Sequence, residues 1–186
     1  SFMTNQLLVN IVHGAIVNNL IVNETDLFHV NNKLKEYGTD IGAKFIHDFL
    51  LMEQTQNKNQ KCQTIEQIAS GFGRALQYYM NIEEELKVVT TLNIDQNSDQ
   101  FQIHFGKNNN LFEQNFMISD AYNNLSFCNM LCGIIDGALS QLQIYKSNIS
   151  YDKLKPHKKA GGICNINGQS LYEFGILTVN LIFDLA

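Results

Sequence analysis

The chain has 186 residues, 45% of them hydrophobic, and its 13 Lys and Arg against 18 Asp and Glu leave a net charge of −5. That length suits a single domain, read here over 1–186, with a core of useful size. The acidic balance argues against a general nucleic-acid binder, whose footprint is a basic patch or stripe, so no nucleic-acid partner is expected.

The start, "SFM", reads as a cloning remnant (Ser1 and Phe2) ahead of the start Met3, with no secretory leader after it. No apolar run reaches the 18 or so residues of a membrane span. The four cysteines, Cys62, Cys128, Cys132 and Cys164, are therefore expected to be free thiols in a reducing compartment. The one basic run, "KLKPHKKAGG" from Lys153, reads as a solvated loop, with contact to an anionic membrane surface as the alternative.

In chain order, residues 5–22 show a helical period. Leu7, Leu8, Ile11, Val12, Ala15, Ile16 and Leu20 fall on one stripe, expected to face the core, and Asn10, Asn18 and Asn19 fall off it. Asp26 is an N-cap for a second helix over about 27–53. Gly38 and Gly42, four apart, clear a patch on it for close approach of another element, and a kink near Gly38 is the alternative. A polar run, 54–63, leads to Cys62. Then "TIEQ" matches the capping box, with Thr64 as N-cap and Gln67 at N3, and opens a third helix over about 65–81. Its "GFGRAL" (Gly71–Leu76) only superficially resembles a dinucleotide fingerprint, because no strand precedes it and Leu76 stands where Gly or Ala is needed.

From residue 86 the period changes to two. "LKVVTTLNI" and "FQIHF" (Phe101–Phe105) form a predicted hairpin. A long helix follows, predicted from a Ser119–Asp120 cap to about 144 and apolar around most of its circumference, with Asn129, Asp136, Ser140 and Gln143 on one polar stripe. "QIYKSNISY" and residues 171–185 read as strands, separated by a long loop around Pro156. The order α-α-α-β-β-α-β-β does not alternate helix with strand, so the expected class is α+β, an antiparallel sheet covered by helices.

The residues show no enzyme signature: no phosphate loop, no nucleophile elbow, no HExxH and no paired metal motif. Cys128 and Cys132 share a helix face but lack the companions of a zinc site, and read as small core residues. No metal is expected. Cys62 is the one chemically suggestive position. It lies two residues before the N-cap, where Lys61 and the helix dipole both favour a thiolate.

Three stretches together resemble the transport protein particle (TRAPP) small subunits: "LKEYGTDIGAKFIHDFL" (34–50), "CQTIEQIASGFGRALQYYMNI" (62–82) and, most strongly, "FCNMLCGIIDGALSQLQ" (127–143). The L-C-G-x-x-x-G-A-L run of the third, Leu131–Leu139, points to the Bet-three type. The resemblance implies about four helices packed on a small antiparallel four-stranded sheet. It implies a homodimer, or a heterodimer with sister small subunits, through the helices. It also implies a non-catalytic role in a complex that tethers vesicles between endoplasmic reticulum and Golgi, peripheral to their membranes, and that acts as a Rab nucleotide exchange factor only when assembled.

The same resemblance implies a palmitate-like acyl chain, thioester-linked to Cys62 and lying in an apolar tunnel lined by the third helix and the 120–144 helix. Lys61 stands where the family commonly has Arg, which keeps the charge and loses the bidentate geometry. Allowing a one-residue gap, Ala75 takes the place of a small residue beside the tunnel. The loop 155–170 and Cys164 depart from the family pattern. The competing readings are a free-standing acyl-binding module and a thiol-dependent enzyme using Cys62.

Overall fold

The computed structural model describes residues 2–55, 64–80, 82, 86–93, 98–105, 125–142, 146–154 and 174–182. Four helices, α1 (Phe2–Asn23), α2 (Leu27–Thr55), α3 (Ile65–Met80) and α4 (Asn129–Leu142), accompany four strands, β1 (Lys87–Asn93), β2 (Ser98–Phe105), β3 (Lys146–Leu154) and β4 (Phe174–Ile182). The predicted order of elements is the observed one. All strand pairs are antiparallel, in the spatial order β1-β2-β4-β3, so two hairpins meet along β2 and β4 to make one sheet.

Alternation along the strands divides the sheet into two faces. Phe101, Ile103 and Phe105 on β2, and Leu177, Val179 and Leu181 on β4, are buried in one core with the helices. Gln100, Gln102, His104 and Asn180 occupy the other face, where the Gln100 side-chain amide donates to Asn180 Oδ1 at 2.8 Å across a paired position. Desolvation, and then the Lys87 charge, hold the His104 imidazole below its ordinary pKa.

Local signals set the helix starts. The backbone N–H of His29 donates to Asp26 Oδ1 at 2.9 Å, so Asp26 caps α2, and this bond lowers the pKa of its carboxyl. The box at α3 is reciprocal: Thr64 N–H donates to Gln67 Oε1, and Gln67 N–H to Thr64 Oγ1, both at 3.3 Å.

Helix α2 continues through Gly38 and Gly42, and its contact with α4 is the most extensive between any two helices. The reason is a match of glycines. An ideal Cβ on Gly38 would sit 3.0 Å from Gly133 Cα and against Met130 O; one on Gly42 would sit 2.9 Å from Ile134 Cα and against Ile134 O. Reciprocally, a Cβ on Gly133 would meet Thr39 N at 2.9 Å and Lys35 O, and one on Gly137 would meet Thr39 Cα at 2.9 Å and Thr39 O. The two helices touch backbone to backbone.

Two expectations need correction. Helix α4 begins at Asn129, well after the predicted cap at Ser119–Asp120, which lies outside the described residues; residues 125–128 are irregular or turn. The start is imposed by α2: Ser126 N–H donates to Asn31 Oδ1 at 2.9 Å, and Asn129 N–H then bonds Ser126 O at 3.1 Å. The second correction concerns α1. Leu8 and Ile11 are 57% and 59% exposed, with Val12 and Ala15 also on the outside, whereas Asn10, His13, Val17 and Leu20 are buried. The stripe assigned to the core faces outward for most of its length, and the side chain of Leu7 lies outside the described residues. Asn10, assigned to the polar side, faces in.

Candidate functional site

Two regions carry functional interest: the first turns of α3, which follow Cys62, and the uncovered side of α1. On α3, Thr64 ends the irregular chain and Ile65, Ile68, Ala69, Phe72, Ala75 and Leu76 form a buried face. Phe72 stacks on Phe101 of β2, with ring centroids 6.2 Å apart and planes at 20°. Ala75 is 1% exposed, and its methyl group is the smallest side chain available, glycine apart, at that point of the face. Leu131, Ile135 and Leu139 of α4 join the same cluster. Lys61 and Cys62, the other two residues assigned to the site, lie outside the described residues.

The outer side of α3 differs in chemistry. Between it and β1 runs a groove of about 290 Å³, lined by polar side chains of the helix and by Leu86, Val88 and Thr90. It is open and mostly polar, unsuited to an acyl chain. The remaining chemical residues are dispersed. Cys128 and Cys132 are buried at the start of α4, as core residues should be. On the expected polar stripe of α4, Asn129 and Asp136 are partly buried and Ser140 is exposed, while Gln143 lies outside the described residues. Among the described residues no group of three or more His, Cys, Asp or Glu could hold a metal ion.

On α1, His13 is only 3% exposed and meets Phe127 edge-on, with ring centroids 6.1 Å apart. Desolvation lowers its pKa from 6.5 to about 4. The opposite side of α1 is an apolar ridge of Leu8, Ile11, Val12, Ala15 and Val22 open to solvent. Sequence reasoning missed this ridge, and missed Asn31 as the anchor of α4. A signal for the ridge existed, since α1 has apolar residues on every side, more than one buried face can use.

The profile of the family described as "Transport protein particle (TRAPP) component" matches residues 9–165. The chain belongs to the TRAPP family. Within that family its similarity runs to the Bet-three type. Trafficking protein particle complex subunit 3 of Dictyostelium discoideum is 27% identical over 183 residues, covering 97% of this chain and 87% of that protein. Trafficking protein particle complex subunit BET3 of Saccharomyces cerevisiae is 27% identical over 142 residues, 75% of this chain and 68% of that one. A crystal structure of a trafficking protein particle complex subunit 3 from Naegleria fowleri, covalently bound to palmitic acid, matches with a TM-score of 0.68 at 18% identity, covering 95% of this chain and 96% of that one. That likeness shows the TRAPP small-subunit fold, and with it the α+β class and four-stranded sheet.

Proposed function

We propose that this TRAPP-family chain is a non-catalytic scaffold subunit that holds a palmitate-like acyl chain in its apolar interior, thioester-linked to Cys62. The observation that carries this reading is local. The chain enters α3 through a formed capping box, two residues after Cys62, and the helix at once turns an apolar face, including Ala75, into the core. A cysteine just ahead of that point has a short path to the interior. Burying about 14 methylenes at ~0.8 kcal/mol each supplies on the order of 10 kcal/mol before chain entropy is subtracted. The acyl chain then acts as part of the core, and Lys61 supplies a positive charge beside the thiol. A small side chain at Ala75 leaves room for the chain.

In this reading the subunit pairs with itself or with a sister small subunit through the exposed ridge of α1, and it contributes to Rab nucleotide exchange only within the assembled complex. Its place is peripheral to Golgi and endoplasmic reticulum membranes; among the described residues no helix is long and apolar enough to cross a membrane.

The test is intact mass of protein made in a eukaryotic host, before and after hydroxylamine. Wild type should carry an acyl mass that hydroxylamine removes, and Cys62→Ser should carry none. Identical unmodified masses for the two would end the acylation reading while leaving family membership intact. Replacing Ala75 with Leu should abolish or shorten the attached chain with the protein still folded.

A further inference from the structure

The two outer strands of the sheet are protected very differently. Edge strands expose unpaired backbone N–H and C=O groups, and proteins commonly blunt them with charge, proline or bulges. The edge strand β3, "KSNISYDKL", carries Lys146, Asp152 and Lys153. The edge strand β1, "KVVTTLN", has only Lys87 at its start, no proline, and a run of β-branched residues from Val88 to Thr91. Its register with β2 is unbroken over seven pairs, from Lys87↔His104 to Asn93↔Ser98, so no bulge twists it away.

The groove between β1 and α3 lies alongside this strand, which among the described residues has no neighbouring strand on its outer side. At Gly73 the helix comes close to the strand: an ideal Cβ there would lie 2.9 Å from Val88 Cγ2. Glu66 and Arg74 both line the groove, eight residues and about 12 Å apart along the helix at ~1.5 Å per residue. Two side chains four residues apart on an extended strand point to the same face and are about 13 Å apart at ~3.3 Å per residue.

We infer that the edge of β1 and its groove receive an extended segment of a partner polypeptide as an added strand, which carries one basic and one acidic side chain four residues apart. Backbone bonds to β1 supply affinity, and the side chains that fall into the groove supply selectivity. The basic side chain meets Glu66 and the acidic one meets Arg74. This surface is separate from the exposed ridge of α1 and does not depend on acylation.

The chain, followed by NMR-detected amide hydrogen exchange, tests this with three synthetic peptides and a fourth held for a second variant. The first, acetyl-Thr-Lys-Val-Thr-Val-Glu-Thr-amide, should slow exchange of outward amides in β1. The second, with its central Thr replaced by Pro, should not. The third, with Glu replaced by Lys, should bind wild type about fivefold more weakly, the scale of one surface ion pair. In Arg74→Glu the preference should invert, with the Lys/Lys peptide binding tighter than the Lys/Glu peptide. If that variant melts early, Glu66→Lys with a Glu/Glu peptide reads the same exchange of preference. Absence of slowed exchange at millimolar peptide, equal slowing by the Pro peptide, or a preference unmoved by the variants would overturn the proposal.

Discussion

Helices α1 and α4 are both strongly apolar around their circumference, yet the fold uses them in opposite ways. On α4, every residue from Met130 to Ile135 is buried, and Gly133 and Gly137 let its backbone rest on that of α2. On α1, the buried side includes Asn10 and His13, while Leu8, Ile11, Val12 and Val22 face water. Apolar content alone therefore does not decide which side is inside. Complementary shape decides it for α4. For α1, no element among the described residues covers the exposed apolar side.

The largest effect should come from breaking the α2–α4 contact. Gly133→Ala would drive a methyl group into the backbone at Lys35, Gly38 and Thr39. The gain in helix propensity, about 1 kcal/mol, offsets only part of this overpacking. A net loss of about 3 kcal/mol or more is expected in urea unfolding. Gly73→Ala sharpens the comparison. Its close neighbour is one Val88 methyl, not backbone, so its stability should stay within about 1 kcal/mol of wild type.

On the other side of the comparison, Ile11→Asp should leave the melting temperature of the isolated chain nearly unchanged and lower the molar mass seen by light scattering to that of a monomer. For a wild-type chain that is dimeric by the same measurement, an unchanged mass would remove α1 from the self-association surface. Inside α1, His13 gives a pH-dependent effect. Its folded pKa of about 4 lies below the ordinary histidine value of 6.5, so the unfolded chain takes up its proton first. Stability is full above pH 6.5 and falls as pH drops from 6.5 towards 4, by up to about 3 kcal/mol. In His13→Leu this part of the pH dependence should vanish, as read by denaturation at pH 7 and pH 4.5.

The contrast between the helices also shows what was legible in the sequence. Features set within a few residues were readable: the Asp26 cap, the Thr64–Gln67 box and the glycine patch of α2. Features set by a distant surface were not. The start of α4 depends on Asn31, 95 residues before Ser126, and no local pattern encodes that hydrogen bond. The inward side of α1 was misread because a hydrophobic stripe marks a face that will be covered, not which molecule covers it. The candidate acyl site was legible only through the family resemblance, because no local pattern marks Cys62, Lys61 or Ala75 as neighbours of an acyl chain.

The glycine contact has a consequence for biosynthesis. Gly133 follows Gly38 by 95 residues, and ribosomes add about 5–20 residues per second. For on the order of 5–20 seconds, then, the nascent chain carries α2 without the backbone that will seal it. During that interval a glycine-lined strip of helix, flanked by Val30, Leu34 and Phe45, is open to any passing apolar segment. A molecular chaperone that shields this strip until α4 emerges would raise the yield of folded subunit more than one acting on the sheet.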